Sequence, residues 1–498
     1  MTRKVEIYPV NRVEGDLEIA VDLEDNVVAD ARSVGTMYRG FENIMTGRAP
    51  LDGLVITPRI CGICSTSHLH AAARALDKIY DVAVPRQATY IRNVAAMTEM
   101  LQNDIRHAFL LFMPDFTDAA YRQEPLHAEV VKRYTPLKGT SVRQAINETR
   151  DVLGIIAILG GQWPHSSFMV PGGVVSVPNI NELNRCSYLL NNFKRWYERQ
   201  ILGCSLERWR AVQSKADLLA WLKESDAHLK SDLGLFIRFA TKIGLHRTGK
   251  GHGNFISFGI PIAGGQKGGE KRFLTGGGFY ADKRLFPMDQ ENITEDLSHS
   301  WFVENGKSKH PYNGETLPYA TGSEDLKYSW AKAPRYNGKP AETGPLAEMV
   351  VAADPLFIDF LHTDGPSTFI RQLARMVRPA LVIPAVQHCI ATARSKPEQY
   401  YRDHGGIENQ QGHGLVEAPR GALGHWVRIK DNKILSYQII TPTAWNASPR
   451  GTDDVRGPWE EALIGTRLKN PQNPLEVNHV VRSFDPCLVC TVHAIDLR

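Results

Sequence analysis

The start of the chain alternates between apolar and polar side chains. From Leu17 to Leu23 the apolar residues recur at every second position, and acidic side chains occupy the opposite face. This run turns at Glu24-Asp25-Asn26, and residues 425–440 repeat the arrangement around Asp431-Asn432. A period of two predicts antiparallel hairpins, the first with one face in water.

Three longer stretches place apolar side chains three and four residues apart, as one face of a helix requires. The first begins after Pro85 and stops at Pro114, and the others cover about residues 180–202 and 366–395. The first is apolar almost all round, which predicts a position in the interior. We therefore predict an α+β, mainly helical fold, with a buried bundle of long helices and small antiparallel sheets.

Residues 244–344 differ from their surroundings in being rich in Gly, Lys, Asn and Pro. Their glycine clusters complete neither a P-loop nor a dinucleotide-binding fingerprint, so we interpret them as turn formers. A long stretch of this kind is typical of an irregular excursion over the surface. With no internal repeat visible, we predict one domain over residues 1–498, with the N- and C-terminal segments converging on one site.

Composition excludes several classes of protein. The 498 residues are 43% hydrophobic and 22% charged, as in ordinary globular proteins. A formal charge of +4 gives no reason to expect nucleic acid or an anionic membrane as a partner. No apolar run reaches eighteen residues and no secretion signal is recognisable. We predict a cytoplasmic protein that is not itself transmembrane, so any membrane association would come through partners.

Two pairs of cysteines near opposite ends of the chain carry the candidate chemistry, and each is followed by a histidine. They are Cys61 and Cys64 with His68, and Cys487 and Cys490 with His493. A pair with this spacing closes on one metal without strain, so the four thiolates predict a metal site that joins the two ends. Spacing alone leaves structural zinc, a catalytic transition metal and an iron-sulfur cluster open. The other three cysteines have no regular spacing, and a disulfide framework is not expected.

Further motifs surround these pairs in a fixed order. They are Arg12-Val13-Glu14-Gly15-Asp16, Tyr38-Arg39-Gly40-Phe41-Glu42, Ala418-Pro419-Arg420-Gly421-Ala422-Leu423-Gly424-His425 and Pro442-Thr443-Ala444-Trp445-Asn446. With the segments 59–68 and 485–493, they resemble the signature motifs of nickel-iron hydrogenase large subunits. The resemblance covers essentially the whole chain and implies the fold of that family.

The resemblance implies a nickel-iron centre with carbon monoxide and two cyanide ligands on iron. All four cysteines would hold nickel, with Cys61 and Cys487 terminal and Cys64 and Cys490 bridging to iron. Glu14 matches the family's proton acceptor. The residues around the metals would be Arg420 above their open face, Pro419 and Thr443 beside the cyanides, His68 against a bridging sulfur, and Asp485 and Asn103. Without the flanking motifs, Arg420 would be equally typical of a surface ion pair, and Thr443 would be equally typical of a turn.

A second metal position is implied by Glu42, His493 and the main-chain carbonyl of Ile439. Carboxylate and carbonyl oxygens suit magnesium, whereas the histidine leaves iron or zinc open.

The chain departs from the family pattern at three points. Asn103 stands where many relatives have Asp, which should lower the negative charge near the metals. His107 matches a family histidine, but its flanking residues differ and its role is in doubt. Five residues follow His493, where relatives are cut during maturation, so this tail could be uncleaved, truncated or unprocessed.

The motif wording resembles the cytosolic uptake and hydrogen-sensing branch of the family. This implies an enzyme that oxidises H2 heterolytically and passes electrons to an iron-sulfur small subunit, with His165 a candidate near the interface. A maturation protease, nickel-insertion proteins and a higher oligomer of heterodimers are implied as well. The alternatives are a hydrogen sensor with low turnover and, more distantly, a structural zinc protein. A quinone-binding subunit of respiratory NADH dehydrogenase is disfavoured because all four cysteines are retained.

Overall fold

The computed structural model describes residues 3–7, 17–263, 272–304, 306, 308–322, 326–393 and 400–487. Glu14, Cys490 and His493 therefore lie outside the described residues. The helices are α1 (Phe41–Met45), α2 (Gly53–Ile56), α3 (Ser65–Ile79), α4 (Arg86–Arg106), α5 (His127–Tyr134), α6 (Thr140–Gly160), α7 (Ile180–Trp196), α8 (Leu206–Arg210), α9 (Lys215–Glu224), α10 (Asp226–Lys230), α11 (Asp232–Lys242), α12 (Pro345–Val351), α13 (Pro355–Thr363), α14 (Thr368–Thr392), α15 (Pro442–Asn446), α16 (Pro458–Leu463) and α17 (Leu475–Ser483).

The strands are short and pair antiparallel. They are β1 (Arg3–Ile7), β2 (Leu17–Glu24), β3 (Val27–Gly35), β4 (Met169–Val170), β5 (Gly173–Val174), β6 (Phe255–Ser257), β7 (Ile260–Ala263), β8 (Arg272–Thr275), β9 (Gly278–Ala281), β10 (Arg284–Pro287), β11 (Ile293–Asp296), β12 (Ala333–Tyr336), β13 (Gln411–Ala418), β14 (Gly421–Lys430) and β15 (Lys433–Ile440). The largest sheets have three strands, in the orders β1-β2-β3, β10-β9-β6 and β13-β14-β15. The predicted α+β, mainly helical class is confirmed.

The long helices form the centre of the molecule. Helix α4 packs against α6 and α14, and α6 packs against α7. Nearly every residue of α4 is buried, as its apolar pattern predicted. The helix was predicted to continue to Pro114. The α-helical hydrogen bonding ends at Arg106, and a π-helical stretch follows from His107 to Phe112. The same change follows α7, where residues Tyr197–Leu202 are π-helical.

Both predicted hairpins are present. Strands β2 and β3 are joined at Asp25 and Asn26, and β14 and β15 are joined at Asp431 and Asn432. All four turn residues have positive φ angles. Asn and Asp tolerate that conformation better than other side chains, which is why they favour two-residue hairpin turns. The inner face of the first hairpin shares a core with α16 and α17, so the N-terminal sheet packs on the C-terminal helices.

The interval 244–344 is more ordered than its composition indicated. Its described residues form seven short strands, β6 to β12. Several of its side chains are buried, including Ile256, Phe279 and Tyr336, which share a core with Trp426 and Trp445. The expected irregular surface segment is therefore corrected to a region of short strands. These strands have three or four residues and are interrupted by glycine, so they are too short to show a period of two in the sequence. Within the described ranges, no helix combines the length and apolarity needed to cross a bilayer.

Helix α3 and strand β13 approach so closely that glycine is required between them. A β-carbon at Gly414 would lie 1.9 Å from the main-chain oxygen of Ala71, and one at Gly412 would lie 2.4 Å from that of Ala75. Neither glycine has a positive φ angle, so the constraint is steric.

We predict that Gly414→Ala lowers the free energy of unfolding by about 1–3 kcal/mol, because α3 and β13 must separate. Gly406→Ala is the matched control, since a β-carbon there would meet no atom within 4 Å. Denaturant unfolding of both variants measures the difference. Equal stability of the two would contradict the close approach.

Candidate metal centre

Three of the four predicted cysteine ligands meet in the interior. Cys61 lies in the turn before α3, Cys64 is the N-cap residue of that helix, and Cys487 follows α17. Their sulfur atoms lie within 4.8 Å of one another, and all three residues are buried. The Sγ atoms of Cys61 and Cys487 are 3.4 Å apart although 426 residues separate them in sequence. A cluster of this kind suits a soft metal. The fourth predicted ligand, Cys490, lies outside the described residues.

Arg420 brings a buried positive charge to this cluster. It stands in the tight turn between β13 and β14 and donates from Nε to Oδ1 of Asp485 at 3.0 Å. Burial opposes its charge, but Asp485 and the three cysteines hold the pKa of the guanidinium well above its ordinary value. Neither Nη1 nor Nη2 has a hydrogen-bond acceptor among the described residues. From the sequence alone, Arg420 was equally typical of a surface ion pair. Its burial excludes that alternative.

Asp485 connects Arg420 to two long helices. Its Oδ2 atom accepts hydrogen bonds from Asn103 Nδ2 of α4 at 2.7 Å and forms an ion pair with Arg375 Nη1 of α14 at 3.0 Å. Burial alone would favour the neutral acid, but Arg420 and Arg375, with the hydrogen bond from Asn103, lower the pKa of Asp485 to about 2. The predicted position of Asn103 near the centre thus has a specific partner. Its amide is a donor to an ionised carboxylate.

A network of buried charges behind this pair was missed by sequence reasoning. Arg378 donates to Asp104 from Nε at 2.8 Å and from Nη2 at 2.7 Å, and also to Glu348 at 3.0 Å. Its Nη2 atom is 2.6 Å from the carbonyl oxygen of Pro419, which it holds beside Arg420. A signal was present, since Arg371, Arg375 and Arg378 recur at helical spacing in an otherwise apolar helix.

His68 lies on α3, one turn after Cys64, and is fully buried. Its Nδ1 atom is 3.1 Å from Nε2 of His425, whose own Nδ1 atom is 2.9 Å from the Tyr437 hydroxyl. Burial lowers the pKa of His68 to about 4, so its ring is neutral near neutral pH. Its Nε2 atom has no partner among the described residues. The predicted contact of His68 with a bridging sulfur stays a prediction.

Thr443, Pro419 and His107 take defined positions around the same centre. The Thr443 hydroxyl accepts the main-chain N–H of Cys487 at 3.2 Å, which fixes the backbone of that predicted ligand. His107 Nε2 is 2.7 Å from the carbonyl oxygen of Arg482. Burial lowers the pKa of His107 to about 3, which leaves it neutral. The sequence left the role of His107 open, and the structure gives it a link between α4 and the end of α17.

Glu42 and Ile439, two of the residues predicted for a second metal, are adjacent. Glu42 Oε1 accepts the Ile439 main-chain N–H at 2.9 Å. Its Oε2 atom accepts from Lys332 Nζ at 2.9 Å and from the Thr316 hydroxyl. Glu295 lies 3.6 Å from the same Lys332, so two buried carboxylates face one ammonium group. Sequence reasoning missed Lys332 and Glu295, which fall in the interval taken as irregular.

The described residues fit a nickel-iron group. The cysteine sulfurs supply soft ligands, and the centre is surrounded by buried polar atoms that find no protein partner in the described ranges, namely both Nη donors of Arg420 and Nε2 of His68. Unpartnered buried donors are costly. They are expected where a bound group with acceptor atoms completes the site.

The sequence profile of the family described as nickel-dependent hydrogenase matches residues 39–150 and 140–493. The chain belongs to this family. It is 32% identical to the periplasmic [NiFeSe] hydrogenase large subunit of Desulfomicrobium baculatum, over 99% of this chain and 95% of the relative. It is 26% identical to the uptake hydrogenase large subunit of Cupriavidus necator, over 99% and 96%. The solved H2-activated [NiFeSe]-hydrogenase of Dm. baculatum matches with a TM-score of 0.82 and 30% identity, over 99% and 100% of the two chains.

Family membership confirms the predicted recognition, fold and enzyme class at this level. The protein is the large subunit of a nickel-dependent hydrogenase, an oxidoreductase that acts on H2. The finer assignment to a cytosolic uptake or sensing branch is not decided by these relatives, one of which is periplasmic.

We predict that Asn103→Asp destabilises the hydrogenase. It would place a second carboxylate at hydrogen-bond distance from Asp485, and one of the two must then bind a proton at a raised pKa. A raised carboxyl pKa makes the folded state bind more protons than the unfolded state, so the loss should be largest at high pH and shrink as pH falls. Urea unfolding at several pH values measures this.

The exposed turn variant Asn337→Asp makes the same charge change as a control. A loss for Asn103→Asp that is independent of pH, or equal to the control, would contradict the proposed coupling.

Proposed function

We propose that this hydrogenase oxidises H2 in the uptake direction and passes the electrons to an iron-sulfur small subunit. The observation that carries the proposal is the buried cluster of Cys61, Cys64 and Cys487 beside the unpartnered guanidinium nitrogens of Arg420. The resemblance of the terminal motifs to the uptake branch and the uptake relative in Cupriavidus necator support the direction.

A nickel-iron group with carbon monoxide and two cyanide ligands, held by Cys61, Cys64, Cys487 and Cys490, would supply the redox-active metals that cleave H2. The chain's own residues shape its surroundings. Asp485 keeps the Arg420 guanidinium charged and oriented, and Thr443 holds the backbone of Cys487. Burial excludes water, which strengthens the field of Arg420 at the centre.

Removal of protons and electrons needs groups beyond this cluster. Glu14, which lies outside the described residues, is proposed as the proton acceptor. Among the described residues, the three cysteines form the only group of three or more potential metal-binding side chains. Electrons must therefore leave through a partner, and the proposed partner is a small subunit that carries iron-sulfur clusters.

Magnesium at Glu42, the carbonyl of Ile439 and His493 is proposed as a second, structural metal. Glu42 and Glu295 both face the ammonium of Lys332, and burial raises the pKa of Glu295 to about 7. A hard cation that binds here would favour the ionised carboxylates. A bound cation would have to share Glu42 with Lys332. Iron and zinc are the outcomes that metal analysis would distinguish.

The remaining assignments stay predictions that direct experiments address. A maturation protease, nickel-insertion proteins and an oligomer of heterodimers follow from the resemblance alone. Cell fractionation tests the cytoplasmic location, and mass analysis of the C-terminus shows whether the five residues after His493 are retained.

The infrared spectrum of the purified protein tests the proposed centre. We expect one carbonyl and two cyanide bands that shift when H2 is added, together with dye-coupled H2 oxidation. Shifting bands without sustained turnover would favour a sensor, and zinc without such bands would favour a structural site. Cys487→Ala should abolish both nickel and bands. Cys389→Ala, a buried cysteine of α14 away from the cluster, is the matched control and should retain them.

We predict that Arg420→Lys lowers H2 oxidation by about 10²–10³-fold, the usual effect of removing one preorganised donor at a reacting centre. Lysine keeps the charge but loses the forked donors and the Nε contact with Asp485. Arg208→Lys changes a partly exposed arginine that pairs with Glu224 and serves as the control. Activity within twofold of wild type for Arg420→Lys, with nickel retained, would show that the fork is not needed.

A further inference from the structure

Helix α3 begins at a metal ligand and has no cap of its own. Cys64 is its N-cap residue, and the cysteine side chain accepts no capping hydrogen bond. The first main-chain N–H groups of a helix need acceptors, which a Ser, Thr, Asp or Asn side chain usually supplies. The identity of residue 64 as a ligand prevents that solution. The cap must come from elsewhere in the fold.

Glu99, on α4, supplies it. Its Oε1 atom accepts the main-chain N–H of Thr66 at 2.9 Å. Its Oε2 atom accepts the main-chain N–H of Ser67 at 3.0 Å and the Ser67 hydroxyl at 2.7 Å. These are the second and third residues of α3, whose N–H groups an N-cap side chain normally satisfies.

Burying the Glu99 carboxylate at this helix end carries a desolvation cost. The residue is fully buried, and its main interactions among the described residues are hydrogen bonds to Ser67 and Thr66 and not an ion pair. Burial raises the pKa of Glu99 to about 7, against the opposing effect of its hydrogen bonds to Ser67 and Thr66. The positive end of α3 is the main compensation for its charge. An apolar side chain in α4 would leave the N–H groups of Thr66 and Ser67 without acceptors, so the start of α3 depends on this carboxylate.

A second segment connects Glu99 to the other side of the cysteine turn. The indole nitrogen of Trp163 lies 3.4 Å from Glu99 Oε1. Two residues later, the His165 main-chain N–H donates to the Ser65 hydroxyl at 3.2 Å, and its Nδ1 atom is 3.0 Å from the carbonyl oxygen of Pro58. The segment 163–165 therefore contacts both the residues before Cys61 and the first residue of α3.

We propose that Glu99 is a positioning residue that clamps the first turn of α3 and thereby sets the geometry and electron density of the cysteine ligands Cys61 and Cys64. The inference rests on the proposed nickel-iron function. The Glu99 carboxylate oxygens accept the N–H groups at the positive end of the helix beside Cys64, which limits how far that helix end withdraws electron density from the sulfur. Without the charge, the helix end withdraws density from the sulfur and from the metal that it holds.

Glu99→Gln tests the clamp with little change in shape. The amide would turn an N–H group toward donors that need an acceptor, and the charge would be lost. We expect the carbonyl infrared band to move to higher wavenumber, because less electron density is returned to that ligand. We also expect faster amide hydrogen exchange in the first turn of α3, measured for the peptide that contains Thr66 and Ser67.

Glu460→Gln is a matched control. Glu460 is fully buried, its pKa is also raised to about 7 by burial, and its carboxylate likewise accepts main-chain N–H groups, from Ser33 at 3.0 Å and Gly457 at 3.2 Å. It lies in α16, and its hydrogen bonds go to Ser33, Tyr328 and Gly457 and not to α3. This variant should lose stability without moving the carbonyl band or the exchange of α3.

Ser67→Ala is the milder variant, should Glu99→Gln fail to fold. It removes one donor and keeps the charge, so a smaller band shift and a smaller change in exchange are expected. An unchanged carbonyl band in metal-loaded Glu99→Gln, or an equal shift in Glu460→Gln, would overturn the proposal. If the wild-type protein shows no carbonyl and cyanide bands, the proposed nickel-iron centre is wrong. In that case, unchanged hydrogen exchange in the first turn of α3 of Glu99→Gln would separately show that Glu99 does not clamp the helix.

Discussion

The ion pair between Arg420 and Asp485 is the interaction on which the arrangement of the centre depends. Asp485 is a fully buried carboxylate two residues before Cys487, and it is shared by Arg420, by Asn103 of α4 and by Arg375 of α14. A buried carboxylate is tolerated only when its charge is matched and its oxygens are hydrogen-bonded. Satisfying it therefore places the last described cysteine against two central helices and the β13–β14 turn at once.

Further buried charged side chains surround this ion pair. Arg378 joins Asp104 and Glu348 and also holds the carbonyl of Pro419, which precedes Arg420. Glu99 faces the positive end of α3, and Lys332 lies between Glu42 and Glu295. Such networks add little net stability compared with apolar packing, but they are sensitive to the loss of any member. Their value here is orientation, because each one fixes a segment that carries a residue of the proposed metal sites or of their surroundings.

Local patterns predicted those parts of the fold that depend on local physics. The hairpin turns at Asp25-Asn26 and Asp431-Asn432 follow from residues that tolerate positive φ angles. Helices α4, α7 and α14 follow from apolar periodicity, since their faces pack in the core. The π-helical stretch at His107–Phe112 left no local signal in the sequence, and its first residue contacts the carbonyl of Arg482, which is distant in sequence. The strands of residues 244–344 were too short to leave a pattern.

The sequence by itself determined the chemistry of the candidate site, since the two cysteine pairs and their flanking motifs indicate a metal centre of the hydrogenase type. It also indicated that Cys61 and Cys487 must meet, because four thiolates on one metal leave no other arrangement. Only the tertiary structure decided which side chains control those ligands. Glu99, Arg375 and Lys332 lie tens to hundreds of residues from the groups that they hold. Their roles depend on burial and on partners brought together by packing, and neither is encoded in local spacing.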